Sequence, residues 1–300
     1  MIFKMEIKGF FKNTPFSSQL VVFFAVFLLS MIIVSVPFSM ITRQDAAFLR
    51  IMFVVNHLGV FVFSALFSAY LFSDDVKTYL KVGTGISRQT VVYVILSMLV
   101  ALPFLNLTIQ FNEAMKLPEW MKPFEDWMIA SEKDAKQLTD VVLNTGNWMD
   151  LIANLLIIGL LAAVGEELLF RGVLQNIFGR KLINKHIVIW LTAILFSAIH
   201  LQFYGFIPRM LMGAYFGYLL YYTRSLWAPV LAHFTNNAFI VLISYRYRDT
   251  SDLEDLNTIG TSGHNGWLAL ISLVFWGYFF YRIIRSCKKE NKVNAMLTQC

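Results

Sequence analysis

Long apolar runs dominate this chain and restrict what it can fold into. A run of about 18 or more apolar residues can cross a bilayer as a helix. Hydrophobic residues make up 57% of the 300 residues and charged residues only 15%, which argues against a soluble, disordered or coiled-coil protein. We expect an all-α polytopic membrane protein with about eight transmembrane helices. The predicted spans are about 20–41, 51–72, 91–111, 151–178, 187–201, 206–222, 226–245 and 267–284.

Basic and acidic residues separate into different predicted loops. Both termini and the second, fourth and sixth loops carry an excess of lysine and arginine. The loop 112–150 has eight acids against four lysines, and the loop 246–266 is also acidic. Positively charged loops stay cytoplasmic, so we expect an integral protein of the bacterial plasma membrane with both termini in the cytoplasm. The net charge of +6 then indicates membrane lipids as partners, and no nucleic acid.

Three regions follow from this reading. Residues 1–150 form an N-terminal three-helix membrane region with the acidic outer loop. Residues 151–245 form a core of apolar spans that carries the intramembrane polar residues described below, and residues 246–300 hold the last outer loop, the final helix and a basic cytoplasmic tail. Trp120, Trp127 and Trp148 in the outer loop predict a short amphipathic segment at the headgroup level.

Two glutamates, Glu166 and Glu167, are the acids that lie inside an apolar run. A charge at the bilayer centre is costly, so such groups are functional by default. Glu167 and Arg171 are four residues apart and share a helix face, which predicts a structural ion pair. Glu166 points elsewhere and has no cation on its own face. A wholly structural role accounts for one glutamate but not for both.

Histidines supply the other intramembrane polar groups. His200 ends the fifth span, and His233 shares a face with Asn237 one turn later on the seventh. Taken singly, each has an ordinary explanation, as a satisfied helix-end histidine or as a hydrogen bond between helices. His57, beside Asn56 in the second span, is interpreted as structural because no carboxylate lies near it in the sequence.

These groups permit two kinds of chemistry. A free glutamate is a general base for water, while histidine and asparagine can stabilise an oxyanion. Alternatively, Glu166, His200 and His233 are the ligands of a zinc ion with an open position for water. The zinc-protease motif H-E-x-x-H is absent from the sequence.

Three polar motifs on successive spans resemble those of a known family, the CAAX-processing and bacteriocin-processing (CPBP, or Abi) intramembrane proteases. The resemblance covers about residues 151–240 and implies eight helices around an intramembrane catalytic cavity open to the cytosolic side. It implies an endopeptidase acting on a membrane-associated substrate, which is prenylated for the eukaryotic members. The motifs are Glu166-Glu167-x-x-x-Arg171, Phe196-x-x-x-His200 and His233-x-x-x-Asn237.

The resemblance also implies a role for each motif residue. Glu166 would activate the water, His200 would assist it, and His233 with Asn237 would stabilise the oxyanion. Glu167, Arg171 and Phe196 would be structural support. On this interpretation no cofactor is required, and zinc is the alternative. Two other functions stay open: a transporter or proton-coupled carrier with Glu166 as its proton site, and a non-catalytic bacteriocin-immunity scaffold.

Overall fold

The computed structural model describes residues 7–41, 45–144, 146–248, 256, 258–263 and 265–297. The described residues are mostly helical and contain no strand, so the predicted all-α fold is confirmed. The acids of the predicted loop 246–266 lie outside them, as does Cys300.

The helices follow the predicted spans closely, and we number them in chain order. They are α1 (Phe16–Ser39), α2 (Ala46–Phe72), α3 (Val76–Leu80), α4 (Arg88–Val100), α5 (Leu102–Glu113), α6 (Lys122–Leu143), α7 (Trp148–Lys181), α8 (Lys185–Ala198), α9 (Phe206–Thr223), α10 (Trp227–Tyr247) and α11 (Trp267–Leu297).

Fewer helices than eight meet the requirements for crossing a membrane. Among the described residues, five are long and apolar enough, namely α1, α2, α7, α10 and α11, and the bent pair α4–α5 would make a sixth. Helix α8 has only 14 residues, which at about 1.5 Å per residue gives roughly 21 Å, short of a hydrocarbon core of about 30 Å. Helix α9 has 18 residues and is not among the helices that are apolar enough to cross. The expected count of eight is therefore not confirmed.

The predicted third span is broken into α4 and α5, which meet at 44°. Pro103 lies in the first turn of α5, where its missing N–H is tolerated. The hydroxyl of Ser272 on α11 donates to the carbonyl of Val100 at 2.5 Å and accepts from the N–H of Phe104 at 3.2 Å. A side chain of the last helix thus satisfies backbone groups that the break exposes.

Three turns of π-helix interrupt α2 and α7. They are His57–Val62 in α2, and Leu155–Leu161 and Leu168–Leu174 in α7. The π-helix is rare, and single turns of it occur mostly at functional sites. The two turns in α7 flank the short α-helical stretch Ala162–Glu167, which carries the paired glutamates.

The predicted interfacial segment is longer than expected. Helix α6 has 22 residues rather than a short stretch, and it is docked on the bundle. Phe124 and Trp127 pack on Phe203, with ring centroids 5.7 Å and 5.3 Å apart. At its other end, Arg50 of α2 donates to the carbonyl of Val142 at 3.4 Å. A mainly polar helix has no long apolar run, so its length was not visible in the hydropathy of the sequence.

Candidate active site

The predicted ion pair between Glu167 and Arg171 is present and fully buried. Arg171 Nη1 lies 3.0 Å from Glu167 Oε1, and neither side chain is exposed. Arg171 Nη2 donates to the carbonyl of Gly213 on α9 at 2.9 Å, and the guanidinium lies 4.4 Å from the ring centroid of Phe196. A Cβ atom at Gly213 would come within 3.0 Å of that ring. The arginine therefore joins α7, α8 and α9.

Glu167 has a second partner that its spacing did not predict. His233 Nδ1 lies 2.9 Å from Glu167 Oε1, the oxygen that also binds Arg171. Helix α10 is thereby tied to α7, and the imidazole of His233 is held in one orientation. The ring also stacks on Phe216, with centroids 5.2 Å apart.

Glu166 lies on a different face from Glu167, as the helix geometry predicts, and its carboxylate is surrounded by histidines. His57 Nε2 is 3.5 Å from its Oε1 atom, while the Nε2 atoms of His200 and His233 are each 3.9 Å from Oε2. Among the described residues, no lysine or arginine lies within ion-pair distance of this carboxylate. The structure thus brings together Glu166, His200 and His233 from three different helices.

The hydrogen bonds of the three rings determine what they present to Glu166. His57 Nδ1 donates to the carbonyl of Phe53 and His200 Nδ1 to that of Phe196, both at 2.8 Å. The Nδ1 atom of His233 donates to Glu167. Carbonyls and carboxylates only accept, so each Nδ1 carries the hydrogen. In a neutral ring, Nε2 then points a lone pair at Glu166, and the centre requires a donor such as water between them.

His57 is the site residue that the sequence analysis missed. It was interpreted as structural because no acid lies near it in the chain, yet it approaches Glu166 at 3.5 Å. Its ring also stacks on Phe61, with centroids 5.2 Å apart. An ionisable group inside a membrane helix marks a functional site. That rule identified Glu166 from the sequence, and it applies equally to His57.

Asn237 lines the same cavity but is partly committed to the backbone. Its Nδ2 atom donates to the carbonyl of Ile158 at 3.0 Å, and its Oδ1 atom accepts from Asn236 at 3.3 Å. An amide nitrogen has two hydrogens, so one donor is left for a ligand in the cavity. The bond to Ile158 ends in the first π-helical turn of α7, and it fixes α10 against that turn.

A cavity of about 870 Å³ leads away from Glu166. Its deep part is lined by Glu166, Phe196, His200 and His233. Apolar side chains of α4, α5, α9 and α10 also line the cavity, among them Met98, Leu105, Ile109, Met212 and Ile240. Its outer part includes Glu132, Lys136 and Asp140 of α6. The volume and the apolar walls suit a short stretch of peptide, with the polar cluster at the closed end.

The donor chemistry at Glu166 also suits zinc. Imidazole nitrogen and carboxylate oxygen are its usual ligands, and His57 adds a third nitrogen to the predicted candidates Glu166, His200 and His233. The spacing does not suit it: the described residues contain no group of three such side chains placed to hold a metal ion. Bound zinc would supply a Lewis acid, and these four side chains would have to move closer together to hold it.

Comparison with known proteins finds a match over the middle of the chain. Residues 148–239 match the family described as type II CAAX prenyl endopeptidase, Rce1-like. The chain is 32% identical over 91 residues to the uncharacterized protein YpbD of Bacillus subtilis (strain 168), an overlap of 29% of this chain and 43% of that protein. The chain thus spans less than half the length of this relative. No solved structure matches the chain.

The matched segment contains all three motifs, from Glu166 to Asn237, whereas His57 lies before it. The resemblance to the CPBP proteases is therefore confirmed, with residues 148–239 of this membrane protein matching the model of the Rce1-like, type II CAAX prenyl endopeptidase family.

Proposed function

We propose that this protein is an intramembrane endopeptidase that hydrolyses a peptide bond of a membrane-associated substrate with water activated by Glu166. One observation carries the proposal. Of the two buried glutamates, Glu167 is neutralised by Arg171, whereas Glu166 faces three imidazoles at the closed end of a cavity. A carboxylate without a cation, beside rings that need a donor, is suited to bind and deprotonate a water molecule.

The reaction follows from this arrangement. Glu166 removes a proton from the bound water while the water oxygen bonds to the carbonyl carbon of the substrate. The C–N bond then breaks, and the proton passes from Glu166 to the departing amine, so one water is consumed for each new acid and amine. His200, whose side chain is partly exposed to the cavity, accepts from the same water and helps to orient it.

His233 and Asn237 are the proposed oxyanion donors. The bond from His233 Nδ1 to Glu167 holds the ring with its Nε2 atom toward the cavity. A hydrogen on Nε2 and the free amide hydrogen of Asn237 would both point at the developing oxyanion. Glu167 and Arg171 act through His233 and do not touch the substrate, so we assign them as positioning residues, together with Phe196.

A carrier with Glu166 as its proton site is the second candidate, and the packing argues against it. Alternating access needs a path to the site from both membrane surfaces. Among the described residues, the space between Arg171 and the loops beyond Lys181 is filled by buried apolar side chains, including Leu80, Leu174 and Ile177. The immunity-scaffold alternative predicts that the site tolerates substitution.

The test is cleavage of membrane-anchored peptides by the purified protein in lipid vesicles. Peptides with and without a C-terminal prenyl group establish whether a CAAX-type lipid is needed. We expect cleavage by the natural chain, none by Glu166→Gln, and normal cleavage by the matched control Glu119→Gln, an exposed carboxylate before α6 that does not line the cavity. Equal cleavage by both variants, or none by the natural chain on any peptide, would contradict the proposal.

A further inference from the structure

A second concavity, of about 990 Å³, lies at the end of the bundle where α7 and α9 end and α8 begins. It shares no lining residue with the cavity at Glu166. The described residues that line it include no acid, and they include five cations: Lys77, Lys81, Lys185, Arg224 and Lys288. Like charges around one hollow focus a positive potential inside it, so this concavity attracts anions.

Two of these cations, Lys81 and Arg224, belong to loops that hydrogen bonds hold side by side. The N–H of Leu226 donates to the carbonyl of Lys81 at 3.0 Å, and the hydroxyl of Ser225 donates to the carbonyl of Thr84 at 2.5 Å. Lys81 and Arg224 both have a left-handed backbone, with φ of 57° and 56°. Glycine or asparagine adopts this conformation more easily, yet both positions carry a long cationic side chain.

The positive charge of the concavity is not balanced within the described part of the chain. None of the five cations forms an ion pair there, and the nearby Asp74 is already paired with Lys12 at 2.5 Å. Lys81 donates only to a neutral partner, Oδ1 of Asn176, at 3.2 Å. Burial, and then the charge of Arg224, lower the pKa of Lys81 below its usual value. A bound anion would relieve this repulsion.

The concavity also has apolar and aromatic walls. Leu220 and Tyr221 of α9 and Ile284 of α11 line it together with the cations. The ring of Tyr221, which is 41% exposed, lies 4.5 Å from the ammonium group of Lys185. Helix α7 is long and apolar enough to cross a membrane, and the concavity lies at one of its ends, the level at which lipid headgroups are found. Such a mixed lining suits a ligand that carries a charge next to an acyl chain.

We propose that this concavity is a binding site for a phosphate ester, supplied by the headgroup of an anionic phospholipid lodged between α9 and α11. Lysine and arginine donate charge-assisted hydrogen bonds to phosphate oxygens, and basic pockets between membrane helices bind such headgroups. Glycerol phosphate offers the same oxygens without the acyl chains. The site is separate from the proposed peptidase function, and the inference holds for either orientation of the bundle.

Thermal unfolding of the purified full chain in a neutral detergent tests the proposal without any cleavage. Dihexanoyl phosphatidylglycerol is titrated into the protein, and dihexanoyl phosphatidylcholine, glycerol phosphate and inorganic phosphate are titrated separately. The test variant combines Arg224→Gln with Lys288→Gln. The matched control combines Lys181→Gln with Lys289→Gln, which removes the same charge from exposed lysines at this end of the bundle that do not line the concavity.

We expect phosphatidylglycerol to raise the unfolding temperature until the effect saturates, because a ligand that binds the folded state stabilises it. Phosphatidylcholine should have no effect at the same concentrations. Loss of two contacts to phosphate should weaken the apparent affinity at least about tenfold in the test variant and less than about twofold in the control. An equal response to glycerol phosphate or inorganic phosphate would support the phosphate site and refute the lipid as its source.

Two results would overturn the proposal. One is an equal response to phosphatidylglycerol and phosphatidylcholine. The other is equal weakening in both double variants, which would mean that the general charge of this end attracts the lipid. Without lipid, the test variant should unfold at the same temperature as the natural chain or higher, since it removes repulsion from Lys81. Lys77→Gln, an exposed position on α3, is the second variant, and unchanged affinity there as well as in Lys288→Gln alone would also contradict the site.

Discussion

The Nε2 atom of His57 lies 3.5 Å from Oε1 of Glu166, and it belongs to a helix outside the segment that matches the protease family. The polar centre is therefore composite. Helix α2 supplies one of the three imidazoles, the end of α8 and helix α10 supply the other two, and α7 supplies the carboxylate. The N-terminal helices consequently contribute to the candidate site as well as to the scaffold around it.

Replacing His57 should impair catalysis without unfolding the protein. We expect His57→Gln to lower kcat/KM by about 10²-fold, the typical contribution of a positioned acid–base group, because the bound water loses one of its partners. The measurement is peptide cleavage in vesicles, with thermal unfolding as a check on the fold. His186→Gln is the matched control, since that histidine bonds Tyr218 far from Glu166. Unchanged cleavage by His57→Gln would show that the role of this residue is structural.

The two adjacent glutamates should respond differently to the same change. Glu166→Gln should abolish cleavage while folded yield is retained, because amide and carboxylate have nearly the same shape and no buried cation is left unpaired. Glu167→Gln should lower folded yield, because it removes the charge that balances Arg171 and orients His233. Cleavage and monodisperse yield in detergent distinguish the two. Equal losses of yield in both variants would contradict the separate roles.

Arg171 should be one of the most sensitive positions for stability. Removing one partner of a buried ion pair typically costs about 3–5 kcal/mol, so Arg171→Ala should sharply lower the unfolding temperature in detergent. Arg171→Lys should rescue only part of the loss, because a lysine cannot both bond Glu167 and lie flat on Phe196 while reaching the carbonyl of Gly213. The exposed Arg180→Ala is the control. Normal stability of Arg171→Ala would refute the structural assignment.

Metal dependence has a direct test. We expect cleavage to survive exhaustive chelation, because the proposed route needs only Glu166 as base and His233 and Asn237 as donors. Elemental analysis and activity are measured on the same sample before and after chelation. One zinc per chain, with activity lost on its removal and restored on its return, would reassign Glu166, His57, His200 and His233 as ligands.

Local relationships were readable from the sequence, and those that depend on packing were not. Glu167 and Arg171 are one helical turn apart, so their pairing follows from spacing alone. The second partner of Glu167, His233, lies 66 residues later on another helix, so the distance between the two residues in the sequence does not predict the contact. The position of His57 beside Glu166 likewise depends on how α2 packs against α7. The sequence placed the motifs on three separate spans, whereas their convergence required the fold.

The limits of hydropathy explain the remaining differences in the fold. The existence and approximate bounds of the apolar helices were predictable because each is a long run. The 44° break between α4 and α5 was not, since it depends on Ser272 of another helix to satisfy the backbone. Helix α6 was underestimated because its residues are mostly polar.

The short helix α8 has a consequence for the lipid around the site. Its 14 residues cover roughly 21 Å, about 9 Å less than a typical hydrocarbon core, and His200 lies two residues after its end. A bilayer adapts to a short segment by thinning beside it, at a modest cost for each ångström. The bilayer next to His200 should therefore be locally thinner, so that water reaches deeper there than elsewhere in the membrane. Peptide cleavage should slow as the acyl chains of the vesicle lipids are lengthened, because a thicker bilayer keeps water away from the site. The rate of cleavage would then depend on membrane thickness.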